Sequence, residues 1–156
     1  MKRPAVVAIL DTIAALALVA WVGGHAALGA FAARIAFRDL PRPMASSTMT
    51  TVFREFDTAI IVAMVVLVVV TIGRVLAIGL TNRADRIAVG AALALVALGA
   101  FEVAWVHPQI EQMFLAGRTL EPAFASLHKL SARCANVEIA LTAVILGAQA
   151  FSRRRA

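Results

Sequence analysis

His25 lies towards the far end of the first long apolar stretch, His107 closes the third, His128 precedes the fourth, and Asp57 stands at the start of the second. Three imidazoles with a carboxylate suit a zinc, copper or iron ion, and paired histidines also ligate haem. At about 1.5 Å of rise per helical residue, His25 lies about 32 Å beyond Pro4, His107 about 31 Å beyond Arg86, and His128 about 37 Å from Arg153. Asp57 lies about 36 Å above Thr81. On antiparallel helices all four reach the same end, so they form the candidate metal set. None has the tight HxxxH spacing of a metal motif, and the competing reading has each histidine simply bonded to backbone or water.

A second set sits deeper. Glu102 is about 24 Å above Arg86 and Glu138 about 22 Å from Arg153, which puts two carboxylates in one layer. Two such groups cannot both ionise cheaply in a membrane, so the layer would hold a proton or share a cation. At the opposite end Asp11 and Arg74 are each about 10 Å from their helix termini and are expected to pair, unless Arg74 snorkels alone to the interface. Asp11, Arg74, Glu102, Glu138 and Asn136 make up the polar residues expected inside the protein. Asp11, Leu18, Val22, His25 and Gly29 share one helical stripe that would face inward. Nucleophilic catalysis has no such support: Ser46, Ser47, Ser126, Ser131 and Cys134 lack an identifiable neighbouring base. The single cysteine allows no internal disulfide and no CxxC motif.

The elements that must carry these groups are four apolar runs, at about residues 5 to 33, 58 to 80, 87 to 107 and 134 to 151, each near or above the ~20 residues that cross a bilayer. Apolar residues make up 62% of the 156 and charged residues 15%, with mean hydropathy +0.88. A soluble domain carries about 25% charged residues, so composition excludes one. The first run follows Met1-Lys2-Arg3 but far exceeds the ~7–15 apolar residues of a secretory signal, and is expected to be retained. The fold expected is all-α: one four-helix transmembrane domain over 1–156, an up-down-up-down bundle with helices at about 4–40, 46–81, 85–107 and 122–153. Pro41 and Pro43 end the first helix, and Ser46 or Ser47 caps the second. Pro108 ends the third near His107, and Ile110, Met113 and Phe114 then form a short interfacial helix. The excess helix length projects beyond the bilayer on the side of loops 1 and 3.

The net charge of +6 lies in flanks of the apolar runs rather than on one helical face, which points to lipid headgroups and away from nucleic acid. Lys2, Arg3, Arg83, Arg86, Arg153, Arg154 and Arg155 lie on one side, in very short segments. Arg34, Arg38, Arg42, Arg54, Arg118, Lys129 and Arg133 lie on the other. Both termini are therefore expected in the cytoplasm. Trp21 and Trp105 read as packing or interface anchors.

Trp21-Val22-Gly23-Gly24, continued through Phe31, Phe37 and Leu40-Pro41, resembles the first-helix signature of a domain-of-unknown-function family of bacterial membrane proteins that includes animal transmembrane protein 205. Phe53, His107-Pro108, Leu127-His128, Ser131 and Asn136 follow the same pattern. The resemblance implies a four-helix membrane protein, expected in a bacterial inner membrane, and brings no catalytic residue. For animal members it implies a link to platinum-drug tolerance and vesicle traffic. The layout is more distantly similar to copper-resistance D-type and protoporphyrinogen-oxidase J-type proteins, whose histidines serve metal or haem, although no specific ligand pair aligns.

The leading functional expectation is a non-enzymatic accessory or helix-packing subunit of a membrane assembly, with a membrane-protein partner or a second copy as its neighbour. The alternative is a metal- or haem-binding redox or transport component that uses the histidine cluster. Proton-coupled transport through the Glu102/Glu138 layer is a third, disfavoured by the small number of helices.

Overall fold

A computed structural model describes residues 3–80 and 82–153, and these are helical throughout apart from short connections. Helix α1 (Arg3–Ala27) passes through a π-helical turn at Leu28–Ala32 into α2 (Ala33–Asp39). Helix α3 (Arg42–Ile78) returns, α4 (Arg83–Phe101) continues through a second π turn at Glu102–Val106 into α5 (His107–Leu115), and α6 (Pro122–Arg153) completes the bundle. Short links join them, so sequential neighbours run antiparallel, and four continuous apolar helices of 31 to 37 residues result. Each exceeds the ~20 residues that span hydrocarbon.

Proline chemistry explains where these boundaries fall. Pro41 precedes α3 and Pro43 occupies its first turn, where a missing N–H costs nothing, so α3 starts at Arg42 and not at Ser46 or Ser47. The third helix does not end at His107, and no separate interfacial helix follows. The His107 N–H instead bonds the Glu102 carbonyl five residues back, and this widened turn gives the Pro108 ring room beside the preceding carbonyls. Ile110, Met113 and Phe114 therefore lie on a continuation of the third crossing. That crossing ends where Gly117, at φ +70°, sends its N–H to the Phe114 carbonyl while Arg118 bonds Met113, a Schellman closure. Beyond it, Arg118 and Glu121 form a two-pronged exposed pair. Thr81, the expected end of the second helix, lies outside the described residues; α3 ends three residues earlier, capped by Gly79 at φ +71°. The Asn82 side chain then accepts the Asp85 N–H at 2.9 Å and opens α4.

The core is narrow and the exterior is apolar. Ala14, Leu18 and Trp21 of α1 meet Ile60, Met64 and Leu67 of α3, Ala91 and Leu95 of α4, and Ile145 of α6. Val62, Val65, Val69, Ile72 and Leu76 of α3 are all exposed, as are Leu16, Val19, Leu93 and Val144 on the other helices. A water-soluble protein rarely tolerates so continuous an apolar surface. Lipid tails are its natural solvent.

Candidate functional site

The buried seam on α1 runs Asp11, Ala14, Leu18, Trp21, and on the third crossing it runs Asp85, Ala88, Ala92, Leu95 and Gly99 of α4 to Glu102 at the head of the π turn. Steps of three and four residues keep one stripe facing the partners, as in left-handed helix packing. The inward stripe thus passes through Trp21; Val22 is only partly buried and Gly29 is exposed. Charges stand at both ends of these seams, and they build two polar layers.

The first layer centres on Arg74. Its Nε lies 3.0 Å from Asp11 Oδ1, and its Nη2 lies 3.0 Å from Asp85 Oδ1. The arginine is 6% exposed and both acids are 1% exposed. Asp85 also accepts a bond from the Ser152 hydroxyl at 2.8 Å, which ties in α6. Sequence reasoning named Asp11 and Arg74 and missed Asp85, which it placed at the start of the third helix without a partner. The three-four spacing from Asp85 to Glu102 is the signal that would have found it.

The second layer lies towards the opposite end. His25 Nδ1 stands 3.4 Å from Glu138 Oε2, without hydrogen-bonding geometry. One donor atom each from His25, Glu102 and Glu138 lies within 4.8 Å of the others, and both glutamates are at most 2% exposed. Each carboxylate is anchored through one oxygen. The Trp21 indole Nε1 donates to Glu138 Oε2 at 3.0 Å, and the Ser131 hydroxyl donates to Glu102 Oε1 at 3.0 Å. The second oxygens, Glu138 Oε1 and Glu102 Oε2, are buried with no hydrogen-bond partner, as is His25 Nδ1.

Glycines set this geometry. A Cβ on Gly99 would strike the Trp21 indole, and one on Gly24 would strike the Phe56 ring, which makes a T-shaped contact with His25 at 5.0 Å between ring centres. Next to this group, His107 Nε2 is 3.7 Å from Glu102 Oε1 and its Nδ1 is 2.8 Å from Asp57 Oδ1. A chain of polar contacts therefore runs Asp57, His107, Glu102, with Glu138 and His25 beyond, across all four crossings. Arg54 and Glu111, 3.5 Å apart, form a pair one turn further along α3 and α5.

The structure does not gather the histidines as one set. His25 meets the two glutamates, His107 bridges Asp57 and Glu102, and His128 is exposed, its ring edge-on to Phe124 at 4.5 Å. The α6 seam passes through Leu127, Ser131, Cys134 and Glu138, and His128 falls one residue off it. Asn136, expected inside, is exposed: it is two residues from both Cys134 and Glu138, about 200° round the helix from either. Cys134 is buried on the seam. Trp21 and Ser131, read from sequence as an anchor and a hydroxyl without a base, are the residues that hold the acids.

Four helices of membrane-crossing length and composition, with their charges turned inward, fit an integral membrane protein with a polar interior. The chain belongs to the family DUF4149, a domain of unknown function, whose model matches residues 16–119. The match holds Trp21, His25, Asp57, Glu102 and His107 and stops before Ser131 and Glu138. No curated protein and no solved structure matches the sequence.

Proposed function

We propose that the protein is a membrane-embedded cation-binding bundle, the binding part of a redox or transport component. The observation that carries this reading is the meeting of Glu102 and Glu138 inside the bundle, each with one oxygen anchored and one unpartnered, beside His25. Two adjacent carboxylates in a low-dielectric interior repel strongly and are costly to desolvate, so the layer requires positive charge from a proton or a metal ion. The reading as a helix-packing accessory subunit draws only on the apolar exterior, which lipid already explains. It leaves the paired acids without a role. The likeness to animal transmembrane protein 205 and to copper-resistance D-type proteins adds a fold-level analogy and no ligand. With both termini on the cytoplasmic side, as the short basic flanks favour, the His25 layer would sit in the half of the membrane away from the cytoplasm.

Infrared difference spectroscopy of the chain in lipid nanodiscs tests the reading. The expected result is a carboxyl band that responds to pH or to added divalent cation and disappears in Glu138→Gln. Carboxylate bands indifferent to both would refute it.

A further inference from the structure

We infer that the cation is a divalent transition metal of the manganese, iron(II) and zinc class, held by His25 Nδ1, Glu102 Oε2 and Glu138 Oε1. This rests on the cation-site reading above and names its ligand class. The three atoms are the ones the surroundings leave over. Trp21 and Ser131 occupy one oxygen of each carboxylate and turn the other towards the interior, and the His25 ring is held against Phe56 with Nδ1 unbonded. Hydrogen bonds donated to the remaining carboxylate oxygen by an outer-shell group, here an indole and a hydroxyl, are the usual way a metal ligand is fixed.

Charge and donor type select the ion. Two carboxylates and a neutral imidazole sum to minus two, so a divalent ion makes the group neutral at membrane depth, whereas a monovalent ion leaves a buried net charge. Hard cations such as calcium and magnesium want six or more oxygens, and magnesium keeps its waters, while imidazole nitrogen suits zinc and iron and the carboxylates suit manganese. Around bonds of about 2.1 Å, tetrahedral ligand atoms stand roughly 3.4 Å apart. His25 Nδ1 stands 3.4 Å from Glu138 Oε2, the oxygen that Trp21 holds, and one donor atom of each of the three residues lies within 4.8 Å of the others, so the group must draw together by about 1 Å to bring His25 Nδ1, Glu102 Oε2 and Glu138 Oε1 onto one ion. His107, between Asp57 and Glu102, is a positioning residue for the Glu102 carboxylate.

The test uses the full chain, purified in mild detergent, stripped with chelator and titrated with Mn²⁺ under electron paramagnetic resonance, with Zn²⁺ as competitor. One Mn²⁺ per chain is expected, displaced by Zn²⁺, with pulsed spectra showing nitrogen coupling from one coordinated imidazole. Glu138→Gln should weaken binding by about 100-fold or more, and Ser131→Ala by about 10-fold, the range for loss of an outer-shell bond. Glu111→Gln, at the Arg54 pair, should leave it unchanged. The nitrogen coupling needs no variant, so a misfolded substitution does not decide the matter. A chain that binds no Mn²⁺, binds it without nitrogen coupling, or keeps full affinity in Glu138→Gln overturns the inference. If Mn²⁺ fails to bind while the infrared carboxyl band still responds to pH, the metal is wrong and the site takes protons only. If both fail, the cation reading falls with it.

Discussion

Removing Arg74 should cost far more than removing either acid that faces it. The layer holds one cation between Asp11 and Asp85, each 3.0 Å from it. Arg74→Gln leaves two buried acids with no counter-charge, and breaking a buried pair in this way costs about 3–5 kcal/mol in a soluble protein. Asp11→Asn removes one acid and leaves Arg74 balanced one to one by Asp85, so its cost should fall nearer the ~1 kcal/mol of an ordinary lost bond. In a bilayer the unfolded helices find other polar partners, and measured interhelical bonds average about 0.6 kcal/mol, so both values will shrink. Their order should survive, with Arg74→Gln the worse by at least about 1 kcal/mol. The assay is reversible unfolding by denaturing detergent from mixed micelles, for both single variants and the double. Asp11→Asn should cost much less in the Arg74→Gln background, or stabilise it, with a coupling of about 0.5–3 kcal/mol. Strict additivity, or an Asp11→Asn cost equal to that of Arg74→Gln, would refute the shared-cation account.

Three further outcomes follow from the packing. Gly99→Ala should destabilise the bundle by about 1–3 kcal/mol and shift tryptophan fluorescence, because the new methyl group meets the rigid Trp21 indole rather than a flexible chain end; an unchanged melting temperature and spectrum would contradict that contact. Gly117→Ala, at φ +70°, should cost about 1–2 kcal/mol by thermal melting although it meets no neighbouring atom, because the left-handed backbone penalises a side chain. His128→Ala should change stability by less than about 0.5 kcal/mol and leave Mn²⁺ affinity unaltered, since its ring is exposed; a loss of metal would return His128 to the site.

How much of this could be read from the chain depends on which rule governed each residue. Apolar run length placed the four crossings, and matching depths levelled Glu102 with Glu138 and Asp11 with Arg74, because helical rise is nearly constant and short links hold neighbours antiparallel. The proline rule placed Pro41 and Pro43 and failed at Pro108, where a π turn absorbs the ring and no local residue type signals it. Depth alone grouped His128 with His25, but depth says nothing about direction around the helix.

Direction is set by the period of the seam. A stripe chosen as Asp11, Leu18, Val22, His25 and Gly29 mixes neighbouring faces, whereas alternating steps of three and four select Asp11, Ala14, Leu18, Trp21 on α1 and carry Asp85 on α4 through to Glu102 in the π turn that follows it. That is the 3.5-residue spacing of helices that stay in contact over many turns. In a membrane it also sorts the polar residues by consequence. A group off the seam can be left exposed on the outside of the bundle, as His128 and Asn136 are in this structure. A charge on the seam has no water to turn to and must be met by another helix. Asp11, Asp85 and Arg74 meet one another, and the one guanidinium offsets one of the two negative charges while touching both acids. Glu102 and Glu138 meet each other, and like charges on two crossings do not balance. The same packing rule that makes the first layer a structural tie therefore makes the second a place for a cation.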